Sequence, residues 1–142
     1  MAKQISVFLE NKAGRLARVT RVLGEAQINI RALSIADTSD FGILRIIVND
    51  PDKAYAILKE SGFTVSETEV IGVKVPDSPG GLAAILEQMS EEQLNIEYLY
   101  AFLSTVKEEA LIIFKVEDIE RAKNTFKAKG INFIDEGQLY NS

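Results

Sequence analysis

The 142-residue chain contains no cysteine and no histidine. Without cysteine there is no disulfide, no thiolate metal site and no cysteine nucleophile. Without histidine the commonest general base and the commonest metal ligand are missing. Positive charge is not in excess: sixteen Lys and Arg against twenty-one Asp and Glu leave a net charge of −5. That balance argues against a general binder of nucleic acid or of anionic membrane. No apolar run approaches the roughly 18 residues that a membrane span needs. The start, Met1-Ala2-Lys3-Gln4, lacks the apolar core of a signal peptide. A soluble cytoplasmic protein without metal or cofactor is expected.

Apolar residues make up 46% and charged residues 26% of the chain, ordinary for a globular protein. Self-comparison is more informative. Gly14-Arg15-Leu16 aligns with Gly80-Gly81-Leu82, and Ile28-Asn29-Ile30 with Leu94-Asn95-Ile96, at an offset of 66. Val48-Asn49-Asp50 aligns with Val116-Glu117-Asp118, and Gly62 with Gly130, at an offset of 68. One two-residue insertion before Leu111 reconciles the two. Residues 1–70 and 71–142 therefore read as two copies of one unit.

In the first copy Ile5–Leu9 is β-rich, Arg15–Ala26 carries Leu16, Val19, Leu23 and Ala26 at helical spacing, and Ile30–Ala36 reads as a strand. Ser39-Asp40-Phe41-Gly42 is turn-rich, and Ile43–Val48 is a strand. Asp50-Pro51 opens a second helix that Gly62 closes. Phe63–Glu69 is a fourth strand. The second copy repeats the order: Ile71–Val75, a helix Gly81–Ser90, Ile96–Ser104, Ala110–Val116, a helix capped by Asp118 and closed by Gly130, and Ile131–Ile134. The order β-α-β-β-α-β, twice, predicts an α+β fold of two tandem ferredoxin-like units with antiparallel sheets. Alternation along strand three sets Leu44, Ile46 and Val48 against Ile43, Arg45 and Ile47, so both sheet faces carry aliphatics. An apolar second face implies packing between units or between chains.

Each copy has a glycine turn between its first strand and first helix: Asn11-Lys12-Ala13-Gly14-Arg15-Leu16 and Asp77-Ser78-Pro79-Gly80-Gly81-Leu82. The first N–H groups of a helix lack partners within it and favour an anion. Gly14 and Gly80 admit unusual backbone angles, Pro79 fixes φ before the helix, and Asn11, Asp77 or Ser78 is a candidate cap. An ordinary capped turn without a ligand has the same features.

The duplicated unit, with D-x-P-G-x-L after its first strand and an asparagine before its second, resembles the ACT domain. The match is best at Asp77–Leu82 with Asn95-Ile96; the first copy keeps Asn, Gly and Leu but has Ala13 in place of proline. The resemblance covers the whole chain, as in stand-alone tandem ACT proteins. It implies a non-catalytic regulatory protein that binds a small molecule, most often an amino acid, at the interface of paired ACT-like units. It implies ligand contacts at Asn11, Ala13, Gly14, Leu16, Asn29 and Ile30, and at Asp77, Ser78, Gly80, Leu82, Asn95 and Ile96. A homodimer is expected. Tyr98, Tyr100 and Phe102 share one face of a strand and suit either a pocket wall or packing. The alternative is a regulatory subunit that docks on a biosynthetic enzyme without binding an amino acid itself.

Two readings from other classes fare worse. A phosphatase of this topology would use Lys12, Arg15 and Asn29, but the second turn has no base and Asp77 would repel a phosphate. RNA recognition on this topology needs aromatics on the central strands, and the second unit offers only Phe114. The stripe Arg15, Arg18, Arg21 reads as a solvated or ion-pairing face.

Overall fold

In a computed structural model of the chain, residues 2–10, 12–37, 40–102 and 109–134 are described. The expected cap Asn11, the turn residue Ser39, the end of the strand at Ser104 and the two-residue insertion lie outside them. The chain divides into two compact units at Thr68/Glu69.

The first unit contains β1 (Ala2–Glu10), α1 (Arg15–Glu25), β2 (Ile30–Asp37), β3 (Phe41–Val48), α2 (Pro51–Glu60) and the first part of β4 (Thr64–Pro76). Its strands lie in the order β2-β3-β1-β4. β1 and β3 are antiparallel, with Ile5 opposite Ile46 and Glu10 opposite Phe41. Phe41 and Gly42, expected in a turn, belong to β3 because Glu10 and Leu9 continue the ladder opposite them. Ile5, Val7, Leu9, Leu44, Ile46 and Val48 face Val19, Leu23, Ala54 and Leu58 of the two helices. Fully burying each large aliphatic here is worth ~1.5–3 kcal/mol.

The second unit contains the remainder of β4, α3 (Gly81–Glu91), β5 (Ile96–Ala101), β6 (Glu109–Val116), α4 (Ile119–Lys129) and β7 (Phe133–Ile134). Its order, β7-β4-β6-β5, repeats that of the first. The core joins Ile71, Val73, Val75, Ile112, Phe114 and Val116 to Ile85, Met89, Ala122 and Phe126. Both edge strands carry an irregularity at the same place, between Ile30 and Ala32 and between Ile96 and Tyr98.

Two expected boundaries change. The fourth strand of the first unit and the first strand of the second are one strand, β4, because nothing before Pro76 interrupts the extended run and Gly72 stays in the ladder opposite Ile113. The last strand begins at Phe133, not Ile131, because the Ile131 N–H closes α4 by donating to Phe126 O at 2.9 Å. Other signals act as expected. Asp50 accepts a hydrogen bond from Lys53 N and Asp118 one from Arg121 N, each capping its helix.

Candidate functional site

Each turn between a first strand and a first helix is a type II turn. Arg15 N donates to Lys12 O at 3.3 Å and Gly81 N to Ser78 O at 3.0 Å. Gly14 (φ 85, ψ −10) and Gly80 (φ 85, ψ −6) hold the third position, which requires positive φ. Pro79 occupies the second position, where its fixed φ belongs, and Ala13 takes that place in the first turn. The glycines are themselves the N-cap residues, and neither helix has a side-chain cap. This corrects the expectation that Asp77 or Ser78 caps α3: the left-handed glycine stands between them and the helix, and both remain exposed. Regular helical bonding resumes at Arg18 N to Gly14 O and Ala84 N to Gly80 O, both 3.0 Å. Among the described residues, the amides of Leu16, Ala17, Leu82 and Ala83 are therefore left without a partner, at the positive end of a helix of eleven residues.

The two turns are not equivalent. A side chain at Gly81 would place its Cβ 2.1 Å from Pro76 O, so the start of α3 presses against the end of β4. Arg15 fills the matching position in the first turn and points its guanidinium to 3.8 Å from Glu10. Leu82 packs on the core of its unit, whereas Leu16 is 41% exposed. Ala13 is exposed.

Asn29 and Asn95 lie at the other end of their units. Glu10 pairs with Phe41 at the turn end of the first sheet, while Ile30 pairs with Val48 at the far end. The eleven residues of α1 put about 16 Å between the turn and Asn29. There Asn29 N donates to Asn49 Oδ1 (3.0 Å) and Asn49 N to Asn29 O (3.2 Å). In the second unit Glu117 N donates to Asn95 O (3.1 Å) and Asn95 Nδ2 to Glu117 Oε2 (3.2 Å). Ile30 and Ile96 are half-buried against the two cores. No single unit therefore brings its turn and its asparagine together.

Tyr98 and Tyr100 stack with centroids 6.5 Å apart. Tyr100 and Phe102 are buried, which favours packing for both.

Sequence reasoning missed two features. A cation on the second helix of each unit caps the first helix: Lys53 Nζ donates to Ala26 O at 2.9 Å, and the Arg121 guanidinium to Glu92 O and Gln93 O. The offset of 68 aligns Lys53 with Arg121 and was the available signal. The other is a notch of about 210 Å³ beside the first turn, walled by Phe8, Phe41 and Phe63 and rimmed by Glu10 and Arg15. Arg18 lies over the Phe63 ring at 5.3 Å and donates to Ser61 O, fixing that wall. Lys12 Nζ sits 2.9 Å from the Glu10 carboxylate. Its hydrogen bond, with the charges of Lys12 and Arg15, holds Glu10 below the usual carboxylate range.

Among the described residues, no group of three or more Asp or Glu is placed to hold a metal ion. No helix among them is long and apolar enough to cross a membrane.

Two ferredoxin-like units with matching glycine turns make a duplicated architecture, and sequence comparison places it in a family. The family model for the ACT domain pair matches residues 1–142, and the chain belongs to that family. No curated protein matches its sequence. Among solved structures, protein BT0572 from Bacteroides thetaiotaomicron is 42% identical, with a TM-score of 0.93 over 99% of this chain and 96% of that one. The ligand-free regulatory subunit of aspartate kinase from Thermus thermophilus is 17% identical, with a TM-score of 0.68 over 91% of each chain. The corresponding subunit from Thermus flavus is 17% identical, with a TM-score of 0.64 over 89% of this chain and 88% of that one. The last two similarities are of fold.

Proposed function

We propose that this chain is a non-catalytic regulatory protein that senses an amino acid through the turns at residues 11–16 and 77–82. The observation that carries the reading is the pair of type II turns whose left-handed glycines leave helix-start amides open in the same place in both units. A carboxylate suits those amides. An ammonium needs an acceptor, which the Asp77 carboxylate or a strand carbonyl supplies at the second turn. Asn29, Ile30, Asn95 and Ile96 contribute only if a turn meets the start of strand two of a different ACT unit. Pairing of two chains supplies that arrangement, so the active form is a homodimer.

Thermal denaturation of the full chain with each of the twenty amino acids tests this. A ligand at about 100 times its dissociation constant adds about 2.7 kcal/mol of stability. A raised melting temperature with one amino acid, or with a few of related shape, supports the reading. No rise with any of them removes it.

Two proteins of this fold are regulatory subunits of aspartate kinase. A biosynthetic enzyme is accordingly the rival partner, and co-purification with such an enzyme in the absence of any amino-acid response favours docking alone.

A further inference from the structure

The two units carry opposite charge along one matching stretch, from the start of the first helix to the end of the edge strand. Residues 15–36 hold Arg15, Arg18, Arg21 and Arg31 against Glu25 alone, a net charge of +3. The aligned residues 81–102 hold Glu87, Glu91, Glu92 and Glu97 and no Lys or Arg, a net charge of −4. The offset of 66 puts Glu87 where the first unit has Arg21. Both side chains are exposed, and neither has an ion-pair or hydrogen-bond partner among the described residues. Around Arg21 the helix is bare: Ala17, Thr20 and Gly24 are small, and with Glu25 they line a groove of about 500 Å³.

The same stretch ends in an open strand. β2 and β5 are the edge strands of their units. α1 joins β1 to β2 across β3, and α3 joins β4 to β5 across β6, so each of these helices covers the half of its sheet that ends in that edge. An edge strand leaves a row of backbone N–H and C=O groups unpaired, and charge or proline commonly blunts it. Beyond the irregularity at its start neither edge has that protection, since residues 32–36 and 98–101 contain no charge and no proline. On the helix-covered face, Leu33 stands opposite Ile46 and Ile35 opposite Leu44, yet they are 41% and 46% exposed. On the matching face of the second unit, Leu99 stands opposite Phe114 and is 37% exposed, followed by an exposed Ala101 opposite Ile112.

We propose that the α1–β2 side of the first unit is a docking surface for the α3–β5 side of the second unit of another copy of this chain, with Arg21 of one copy beside Glu87 of the other. It rests on the homodimer of the proposed function and specifies which units meet: unlike units, not like ones. Like units would set four arginines against their own copies and four glutamates against theirs. Facing like charges are the repulsive element that excludes a wrong partner, whereas +3 against −4 draws the right one in. Side-chain volume agrees. Like pairing gathers Leu33 and Ile35 of both copies in one interface and Leu99 and Ala101 in the other, while unlike pairing evens the two. The acidic surface that fits the arginines lies on the same chain, element for element, so no other acidic partner is required. With the two edges antiparallel, Asn29 before β2 of one copy comes to the 77–82 turn of the other.

Sedimentation equilibrium of the full chain measures the association, and a charge swap reads the pairing. Arg21→Glu and Glu87→Arg alter exposed helix positions, so both variants and the double variant are expected to fold, with circular dichroism as the check. The proposal predicts that each single variant weakens association at least about tenfold, and that the double variant returns to within about threefold of wild type. A monomeric wild type, single variants that associate like wild type, or a double variant no tighter than the singles overturns it. Cross-linking identifies the units directly. The chain has no cysteine, so Leu33→Cys and Leu99→Cys each supply a single thiol. Differently tagged Leu33→Cys and Leu99→Cys chains, co-expressed and treated with a short bismaleimide, should yield mainly pairs that carry both tags. Mainly same-tag pairs, or no pairs, overturn the proposal, while a melting temperature raised by an amino acid would still keep the sensor reading. Mixed-tag pairs from a chain that no amino acid stabilises keep the pairing and remove the sensor reading.

Discussion

The first and second units share strand order, helix positions, edge irregularities and the type II turn, yet they differ in charge and at the turn itself. Residues 1–68 carry nine basic and eight acidic residues, while residues 69–142 carry seven and thirteen, leaving +1 and −6. The first turn has Ala13, an exposed Leu16 and an arginine reaching back to Glu10. The second has Pro79, a leucine packed on its core, and a glycine wedged against Pro76 O. The difference teaches that the duplicated fold fixes the backbone of both turns, while side chains make the surface around each one different. Pro79 also restricts the second turn in the unfolded chain, which Ala13 does not do in the first.

The largest test of this comparison concerns the cores. Phe126→Ala removes a fully buried ring and is expected to cost about 3–5 kcal/mol, and its counterpart Leu58→Ala about 2–5 kcal/mol. Chemical denaturation measures both. Costs well below these would mean that one core is less tightly built than its burial indicates. Next comes the asymmetry of the turns. Gly81→Ala drives a Cβ into the Pro76 carbonyl and is expected to cost about 1–3 kcal/mol. Arg15→Ala at the matching position should change stability by no more than about 0.5 kcal/mol. Equal effects would contradict the close approach seen only at α3.

The turns can also be made more alike. Ala13→Pro places proline where Pro79 already stands and is expected to stabilise by about 0.4–1 kcal/mol, mostly by restricting the unfolded chain; Pro79→Ala should lose a similar amount. A destabilised Ala13→Pro would show that the first turn does not share the second's geometry. The smallest effect is electrostatic. Glu10 is held below its ordinary pKa by Lys12 and Arg15. A depressed carboxylate contributes stability above its unfolded pKa of about 4.3, and that contribution fades as pH falls through the folded value. Melting curves of wild type and Glu10→Gln should therefore converge on acidification below about pH 4.3. Curves that keep their separation there would mean that the ion pairs of Glu10 add nothing.

Much of this was legible in the sequence. Periodicity and the two glycines marked both turns and both helices behind them, because a type II turn demands positive φ at one position. Asp50 and Asp118 were legible as caps because each precedes its helix directly. Asp77 and Ser78 misled for the same reason in reverse: a short polar residue near a helix start suggests a cap, but the left-handed glycine becomes the N-cap. β4 was not legible as one strand, since the repeat boundary at residues 70 and 71 divides one extended run between two copies of the unit. The notch was invisible because Phe8, Phe41 and Phe63 converge only through strand register and the return from α2. The asparagines before strand two were legible as a repeated feature, but not as residues that close the far end of each sheet.

The proposed function places an amino acid at the helix-start amides of the two turns, and amide chemical shifts of the isotope-labelled full chain report on them directly. Titration with the amino acid that most raises the melting temperature should move the Leu16 and Ala17 signals, or those of Leu82 and Ala83, saturably and by more than signals from the buried strands. A stabilising amino acid that leaves all four amides unmoved would contradict it.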